Sequence, residues 1–449
     1  MSDTTSLSSG YRARRAQNWL TLGFTYAAFY TGRYNLSVVN KTLSDDFGWD
    51  KGHIGWILTA GLATYGISTW INGPLTDRFG GRRMLLIGTF GAMVCNVLFG
   101  LGSLFASADA QARATLLWYL VVVFAINNYF QSYGACAIIK INAPWFRREE
   151  RGVFSGIFGS MIQGGRVLVL WLGALILLHL VQSGTPQAWR WLFFLPAALL
   201  GLMFVLIYRF VVDSPEQAGF PQVVADEAGE GSGHASFGFL MQRIFTNPLM
   251  VSFAFCSFCI GFSRQGLDQW MVRYFQEVHH IEANAPVYKV VSIGAPLLAV
   301  VGAVVVGISS DKLWNARRPP VIFLCYVGQL VSFFALAQAR TPLMAAFAIL
   351  GASFCISGSH SLLLGACTID FGGRRAVATA AGFFDGLQYL AGALTGHWLG
   401  TLLDQHGWGI WAYSLMPTAL CGAIIMLRFW NLTPDSAPRP VAIAEPSQA

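Results

Sequence analysis

The chain has 449 residues, of which 55% are hydrophobic and only 11% are charged. Soluble globular proteins average about a quarter charged residues, so this composition excludes a soluble protein. The apolar runs have the length of membrane-spanning helices, which excludes the short alternating strands of a membrane β-barrel. The net charge of +7 bears on topology, because Lys and Arg collect on the cytoplasmic side of membrane helices.

The apolar runs predict twelve spans. They lie at 19–40, 53–75, 84–105, 115–142, 153–181, 189–212, 247–276, 287–309, 320–338, 342–366, 376–400 and 408–431. The polar start of the chain shows no cleavable signal pattern, so the first span is expected to be retained. With the N-terminus inside, 18 of the 29 basic residues fall in cytoplasmic segments and 7, including Arg273, in outer loops. This bias predicts that both termini are cytoplasmic.

The longest polar stretch divides the spans six from six. The predicted parts are a cytoplasmic segment at 1–18, a six-helix bundle at 19–212, a cytoplasmic linker at 213–246, a second six-helix bundle at 247–431 and a cytoplasmic tail at 432–449, expected to be disordered. The two bundles resemble each other, since Arg33 and Arg264 are 231 residues apart and Asp77 and Asp311 are 234 apart. The fold class is therefore an all-α membrane protein of two pseudo-symmetric bundles, with a substrate site near the midplane between them.

The loop after the second span carries a motif. It reads Gly-Pro-Leu-Thr-Asp-Arg-Phe-Gly-Gly-Arg-Arg over 73–83, and a weaker copy lies at 307–318. This motif resembles the signature of the major facilitator superfamily. Within that superfamily the chain is similar to the organophosphate:phosphate antiporters, which include glycerol-3-phosphate and hexose-6-phosphate transporters. The stretches that carry this similarity are 26–35, 130–152, 264–274 and 380–383.

The resemblance implies a carrier that exchanges a phosphorylated metabolite for inorganic phosphate. It also implies a monomer in the inner (plasma) membrane. Two positions depart from the family pattern. Tyr34 stands where the family commonly has Lys, and the fifth span has no His, Gln163 being its nearest polar group. The identity of the organic substrate is therefore left open.

Arg33 and Arg264 are the leading site candidates. An arginine at membrane depth is costly unless it meets an anion or faces water. Its planar, permanently charged guanidinium fits phosphate oxygens in a bidentate manner. Two arginines on opposite walls are expected to hold one phosphate. The alternative for Arg264 is an ion pair with Asp268, which lies four residues further on the same helix face.

Several other side chains are candidates for the site. Lys140 is either a third cation or a side chain that reaches toward the inner surface. Arg166 either contacts a further anionic group of the substrate or pairs with an acid such as Asp385. His360 either titrates or serves as a donor between helices. The aromatic and amide candidates for substrate contact are Tyr30, Tyr34, Gln163, Trp270 and Tyr274.

The loop charges have a different predicted role. A carboxylate at a helix end engages neighbouring helix N-termini and basic residues, and it must release them when that side of a carrier opens. We expect such charges to latch the cytoplasmic face. They are Asp77, Arg78, Arg82, Arg83 and Asp311.

Two alternative functions stay open at this point. The first is a proton-coupled symporter of a sugar or organic anion, for which only Asp268 and Asp385 offer a mid-span carboxylate. The second is a sensor that binds an organophosphate without transporting it. The sequence shows neither a nucleophile–base pair nor a complete set of metal ligands, so no enzyme, metal or cofactor is predicted. Nucleic acid is not an expected partner.

Overall fold

The computed structural model of the protein describes residues 8–105, 109–146, 148–221, 246–368 and 377–433. Within these ranges the chain is helical, without strands. The α-helices are α1 Ser9–Phe47, α2 Lys51–Phe79, α3 Gly81–Leu101, α4 Ala110–Asn142, α5 Arg148–Val167, α6 Ala174–Gln182, α7 Trp191–Phe210, α8 Pro248–Val278, α9 Pro286–Lys312, α10 Arg318–Ala337, α11 Pro342–Ser361, α12 Val377–Leu394, α13 His397–His406 and α14 Gly409–Arg428. Most of the predicted linker and nearly all of the tail lie outside the described residues.

The helices make twelve crossings, which confirms the predicted fold class. The π-helical segment Leu168–Gly173 joins α5 to α6 in one span, and α12 continues into α13 in another. In the described part of the chain, nine helical stretches are long and apolar enough to cross a membrane. Helices α1 and α8 are not among them, because each carries buried polar side chains, including an arginine.

Local chemistry sets the helix ends. Gly48 ends α1 with a positive φ of 67°, a conformation that favours glycine. The Asp50 side chain then accepts a hydrogen bond from the backbone N–H of His53 and caps α2. Helices α8, α9 and α11 each begin at a proline, whose missing N–H is not needed in a first turn.

The two bundles contact each other from mid-span to one end of the molecule. We call the end at which α1 begins the proximal face and the opposite end the distal face. From mid-span to the distal face, α2 packs against α12 and α13 with almost no side chain between the backbones. A Cβ added to Gly55 would lie 2.6 Å from the carbonyl oxygen of Gly396, and one on Gly66 would lie 2.7 Å from that of Gly386. Small residues allow this approach.

Charged groups lie at the outer rim of this contact. The Lys51 ammonium is 3.1 Å from a Glu277 oxygen and 3.6 Å from an Asp404 oxygen. Asp404 also accepts hydrogen bonds from the backbone N–H groups of Lys51 and Gly52, at 3.1 and 2.8 Å. A carboxylate of the second bundle therefore caps the first turn of α2 in the first bundle.

Arg273 belongs to this distal region. It was counted with the outer loops, but it lies in the last turns of α8 and is only 5% exposed. Its guanidinium donates to Asn40 and Ser44 of α1, at 2.7 and 2.8 Å, and to Glu277 at 2.6 Å. These three partners compensate its burial.

Candidate functional site

A cavity of about 280 Å³ lies between the bundles near mid-span. Its walls come from α1, α5, α8, α9 and α11. The polar side chains that line it are Tyr30, Tyr34, Gln163, Arg166, Arg264, Asp268, Ser353, Ser357, His360 and Ser361. This size is close to the lower end for small-molecule sites. Five predicted site residues therefore line one cavity. They are Arg264, Tyr30, Tyr34, Gln163 and Arg166.

Arg33 lies behind the cavity wall and is only 3% exposed. Its Nε donates to the Gln131 side-chain oxygen at 3.0 Å, and its Nη1 donates to the Tyr389 hydroxyl at 3.0 Å. The rings of Tyr65 and Tyr30 flank the guanidinium, with centroids 4.3 and 4.9 Å from its central carbon. Nη2 is buried without a hydrogen-bond partner among the described residues. Arg33 thus keeps its full charge and one free donor group.

Arg264 faces the cavity from α8 and has fewer partners. Its Nε and Nη2 are both buried without a hydrogen-bond partner in the described ranges. Its nearest aromatic contact is the Tyr389 ring, whose centroid is 5.5 Å from the guanidinium carbon. The predicted alternative, an ion pair with Asp268, does not form, because Asp268 has a different partner. Both arginines are therefore free of a paired carboxylate within the described structure.

Tyr389 of α12 links the two arginines. Its hydroxyl accepts the Arg33 hydrogen bond while its ring faces Arg264. The ring also packs on Tyr65 of α2, with centroids 4.1 Å apart. Since α12 belongs to the second bundle, the phenol carries a contact from one bundle to the arginine of the other.

Arg166 and Asp268 form a buried ion pair between the bundles, and each side chain is 9% exposed. Gln163 accepts a hydrogen bond from Arg166 at 3.2 Å, and the Tyr34 hydroxyl lies 3.5 Å from the other Asp268 oxygen. The guanidinium also lies over the Tyr34 ring at 5.2 Å. The predicted pairing of Arg166 with an acid of the second half is correct in kind, but the acid is Asp268 and not Asp385. One cation of the cavity is thus neutralised.

His360 lies on the α11 wall of the cavity and does not bond Arg264. Its Nδ1 is 3.0 Å from the side-chain oxygen of Gln388 in α12. Asp385, one turn before Gln388, interacts electrostatically with both arginines but forms no ion pair with either in the described part of the chain.

Three predicted site residues lie elsewhere. Lys140, near the proximal end of α4, donates to the backbone carbonyls of Thr76 and Asp77, at 3.1 and 2.7 Å, and lies 3.2 Å from the Asp77 carboxylate. Trp270 is fully buried and donates to the Thr395 carbonyl at 2.7 Å. Tyr274 packs on Trp408 and Trp411, whose ring centroids lie 5.5 and 4.8 Å away. All three face helix neighbours in this conformation.

The predicted gating residues gather at the proximal face. Asp77 is exposed and pairs with Lys140, while Asp311 pairs with Arg318. Arg82 donates to the Tyr208 carbonyl at 2.6 Å. Asp213, which the motif did not indicate, accepts the backbone N–H of Arg82 at 2.7 Å and so caps α3. The exposed Arg78 and Arg83 complete the cluster. Each of these contacts lies within one bundle.

Comparisons with known proteins add to this geometry. A family model described as Major Facilitator Superfamily matches residues 22–396. The membrane sensor protein UhpC of Escherichia coli is 25% identical over 97% of both chains. The glycerol-3-phosphate transporter of Bacillus subtilis is 25% identical, covering 96% of this chain and 95% of its own. A probable hexose phosphate transport protein of Chlamydia trachomatis is also 25% identical, covering 97% and 95%.

Solved structures show the same fold. A bacterial homolog of the human lysosomal transporter Spinster superposes with a TM-score of 0.70 at 15% identity, covering 94% of this chain and 96% of its own. The xylose transporter XylE of Escherichia coli, in a partially occluded inward-open conformation, gives 0.70 at 16% identity, covering 93% and 98%.

The sequence relatives confirm the resemblance to organophosphate carriers that the span and loop motifs indicated. The family model covers most of the chain, and the duplicated six-helix architecture agrees with it. The chain belongs to the Major Facilitator Superfamily, whose members carry out transmembrane transport.

Proposed function

We propose that the protein exchanges a phosphorylated metabolite for inorganic phosphate across the cytoplasmic membrane by alternating access. The observation that carries the proposal is the pair Arg33 and Arg264. Neither has a paired carboxylate within the described structure, while the third arginine near the cavity is neutralised by Asp268. Two uncompensated guanidinium groups at mid-span form a site for a phosphate mono- or dianion.

The same charges supply the reason for exchange. An empty site that becomes enclosed carries about two uncompensated positive charges in a medium of low dielectric constant, which is unfavourable. A bound phosphate group removes this penalty, so the loaded carrier interconverts and the empty one does not. Affinities between about micromolar and millimolar are expected, since tighter binding would retain the substrate. The names of the glycerol-3-phosphate and hexose phosphate relatives support this substrate class.

The proposal includes an orientation and a latch. The excess of basic residues at the proximal face supports placing both termini in the cytoplasm. The distal contact is then the closed outer side, and the charges around Asp77 and Asp311 are the cytoplasmic latch of the opposite state. We propose that this latch forms contacts between the bundles when the cytoplasmic side closes. The carrier acts as a monomer, since one chain supplies both halves of the site.

Exchange in proteoliposomes loaded with phosphate tests the proposal. Uptake of labelled phosphate should require internal phosphate and should disappear in Arg33→Lys and Arg264→Lys. Arg190→Lys is the matched control, because Arg190 is half-buried near the distal face, where its Nε donates to the Gly100 carbonyl at 2.9 Å and its guanidinium lies over the Phe194 ring. Uptake that survives both site substitutions, or that needs no internal phosphate, would contradict the proposal.

A sensor is the second candidate, and the relatives named membrane sensor protein favour it. They come from Escherichia coli and Salmonella typhimurium and are 25% and 26% identical to this chain. A sensor of this kind would bind an organophosphate through the same arginines without exchanging it. Binding of glucose 6-phosphate or glycerol 3-phosphate to the purified protein, together with no exchange in proteoliposomes, would support this function over transport.

Proton symport finds less support in the geometry. Asp268, one of the two mid-span carboxylates, is engaged by Arg166 and by the Tyr34 hydroxyl. Asp385 remains as a carboxylate for proton transfer. Uptake driven by a pH gradient in vesicles without internal phosphate, and its loss in Asp385→Asn, would establish symport and overturn exchange.

A further inference from the structure

Side-chain amides form a continuous buried chain behind Arg33. They belong to Asn35 on α1, Asn96 on α3, and Asn127 and Gln131 on α4, and each is at most 2% exposed. Asn35 donates to Asn96 at 3.1 Å, and Asn96 donates to Asn127 at 3.1 Å. Gln131 donates to the same Asn127 oxygen at 3.2 Å. The chain ends at the Arg33 Nε, which donates to the Gln131 side-chain oxygen at 3.0 Å.

The neighbours of Gln131 fix the direction of its amide. Its nitrogen donates to the Gly32 carbonyl at 3.0 Å as well as to Asn127. A flipped amide would set its nitrogen against the Arg33 Nε, which is also a donor, and its oxygen against two acceptors. Asn127 is oriented in turn, because its own nitrogen donates to Gly32 at 3.2 Å. The oxygen of Gln131 therefore always faces Arg33.

A guanidinium held at one edge has little rotational freedom. The group is planar, so the bond from Nε to Gln131 fixes the plane in which Nη1 and Nη2 lie. We propose that Gln131, supported by Asn127 and Asn96, is the positioning residue of the anion site. It holds the Arg33 guanidinium so that Nη1 lies against Tyr389, whose ring faces Arg264. This inference rests on the proposed phosphate site and assigns Gln131 no contact with the substrate.

The corresponding position in the second bundle does not do this. His360 lies 229 residues after Gln131, close to the 231 residues that separate the two arginines. It bonds Gln388 and leaves the Arg264 Nε without a partner among the described residues. The hydrogen-bonded support is therefore specific to Arg33, so a mutation can remove it without changing the contacts of Arg264.

Gln131→Leu and Gln131→Asn test the assignment in phosphate-loaded proteoliposomes. Leucine removes the acceptor of a charged hydrogen bond, so we expect KM for phosphate to rise about tenfold or more, with a smaller change in maximal rate. Asparagine keeps the amide but is one methylene shorter and should restore part of the affinity. Gln329→Leu is the matched control, since Gln329 is a fully buried glutamine of the second bundle whose side chain donates to Ser359 and not to a partner of either arginine.

A double-substitution cycle separates positioning from general stability. Asn127→Leu does not touch Arg33 but releases the Gln131 amide, so it should raise KM severalfold in the wild-type background. It should have no further effect on KM in Gln131→Leu, because the route to Arg33 is already broken. Thermal unfolding in detergent should fall further in Gln131→Leu, which loses three side-chain hydrogen bonds, than in Gln329→Leu, which loses one, whereas KM should rise only in Gln131→Leu.

The outcomes distinguish this inference from the function on which it rests. A wild-type protein that exchanges phosphate, together with an unchanged KM in Gln131→Leu, would overturn the inference alone. Additive KM effects of Asn127→Leu and Gln131→Leu would also overturn it, since they indicate independent structural defects. A wild-type protein that neither binds nor exchanges inorganic phosphate would overturn the proposed function and the inference together.

Discussion

Arg33 and Arg264 occupy equivalent positions in the two bundles but have different surroundings. Arg33 is bonded at Nε and Nη1 and is flanked by two tyrosine rings. Arg264 has two unpartnered nitrogens in the described structure and one aromatic neighbour. The two positions thus share the charge, but within the described structure only Arg33 has supporting hydrogen bonds.

In the proposed function, the different surroundings of the two arginines explain how two bundles that move relative to each other hold one anion. A fixed arginine defines where the phosphate sits relative to the first bundle, because its donors are already oriented. A less constrained arginine can follow the phosphate as the second bundle changes its angle. We infer that pre-organisation belongs to the first bundle and adaptability to the second. Three sets of substitutions test this comparison.

The largest effect is expected from replacing each arginine by lysine. Either change removes the bidentate fork, so we expect phosphate exchange to fall at least about 100-fold in both variants. The comparison predicts a second difference, in stability. Arg33→Lys also loses the hydrogen bonds to Gln131 and Tyr389, so it should lower the thermal unfolding temperature in detergent. Arg264→Lys should not lower it. Equal destabilisation by the two variants would contradict the distinction between a held and a free arginine.

The next effect concerns the ion pair between Arg166 and Asp268. Asp268→Asn releases a third cation into the cavity, so inorganic phosphate should bind about tenfold tighter in equilibrium binding measurements, while exchange becomes slower. Arg166→Gln leaves the carboxylate unpaired and should weaken binding by a similar factor. The double variant Arg166→Gln/Asp268→Asn restores the net charge and should bind within about threefold of wild type. A double variant as impaired as Arg166→Gln would show that the pair contributes more than charge.

The smallest effect is expected from Tyr389→Phe. The change frees the Arg33 Nη1 and keeps the ring against Arg264, so phosphate affinity should rise about threefold. Tyr326→Phe is the control, because the Tyr326 hydroxyl is also buried and donates to the Cys256 carbonyl at 2.7 Å. A lower affinity in Tyr389→Phe would show that the phenol binds the phosphate instead of competing with it.

The fold and the arginine pair could be predicted from the sequence because their signals are local. Apolar length sets the spans, and a permanent cation inside a span needs a special environment wherever it lies. The repeat then places Arg33 and Arg264 in equivalent helices. None of these steps requires knowing which way a neighbouring helix is rotated.

Partner choice between helices could not be predicted in the same way. Asp268 was matched to Arg264 by its spacing of four residues, but its partner is Arg166, 102 residues earlier in the chain. Tyr274 was assigned to the site by its nearness in sequence, yet ten residues of helix correspond to about 15 Å along the axis. Lys140 was open to two interpretations, and the turn in which α4 ends places it beside Asp77. Such contacts depend on helix rotation and depth, which hydropathy does not encode.

The distal contact has a consequence for the medium in which the carrier works. Its backbone part is formed by glycines, and its charged part, Lys51 with Glu277 and Asp404, lies at the rim, where each side chain is 16–24% exposed. Interactions between charges in contact with water are screened by dissolved ions. The balance between the closed and open distal face should therefore shift toward open as ionic strength rises on that side. In the proposed orientation, the rim makes the conformational equilibrium responsive to the salt concentration on the outer side of the membrane.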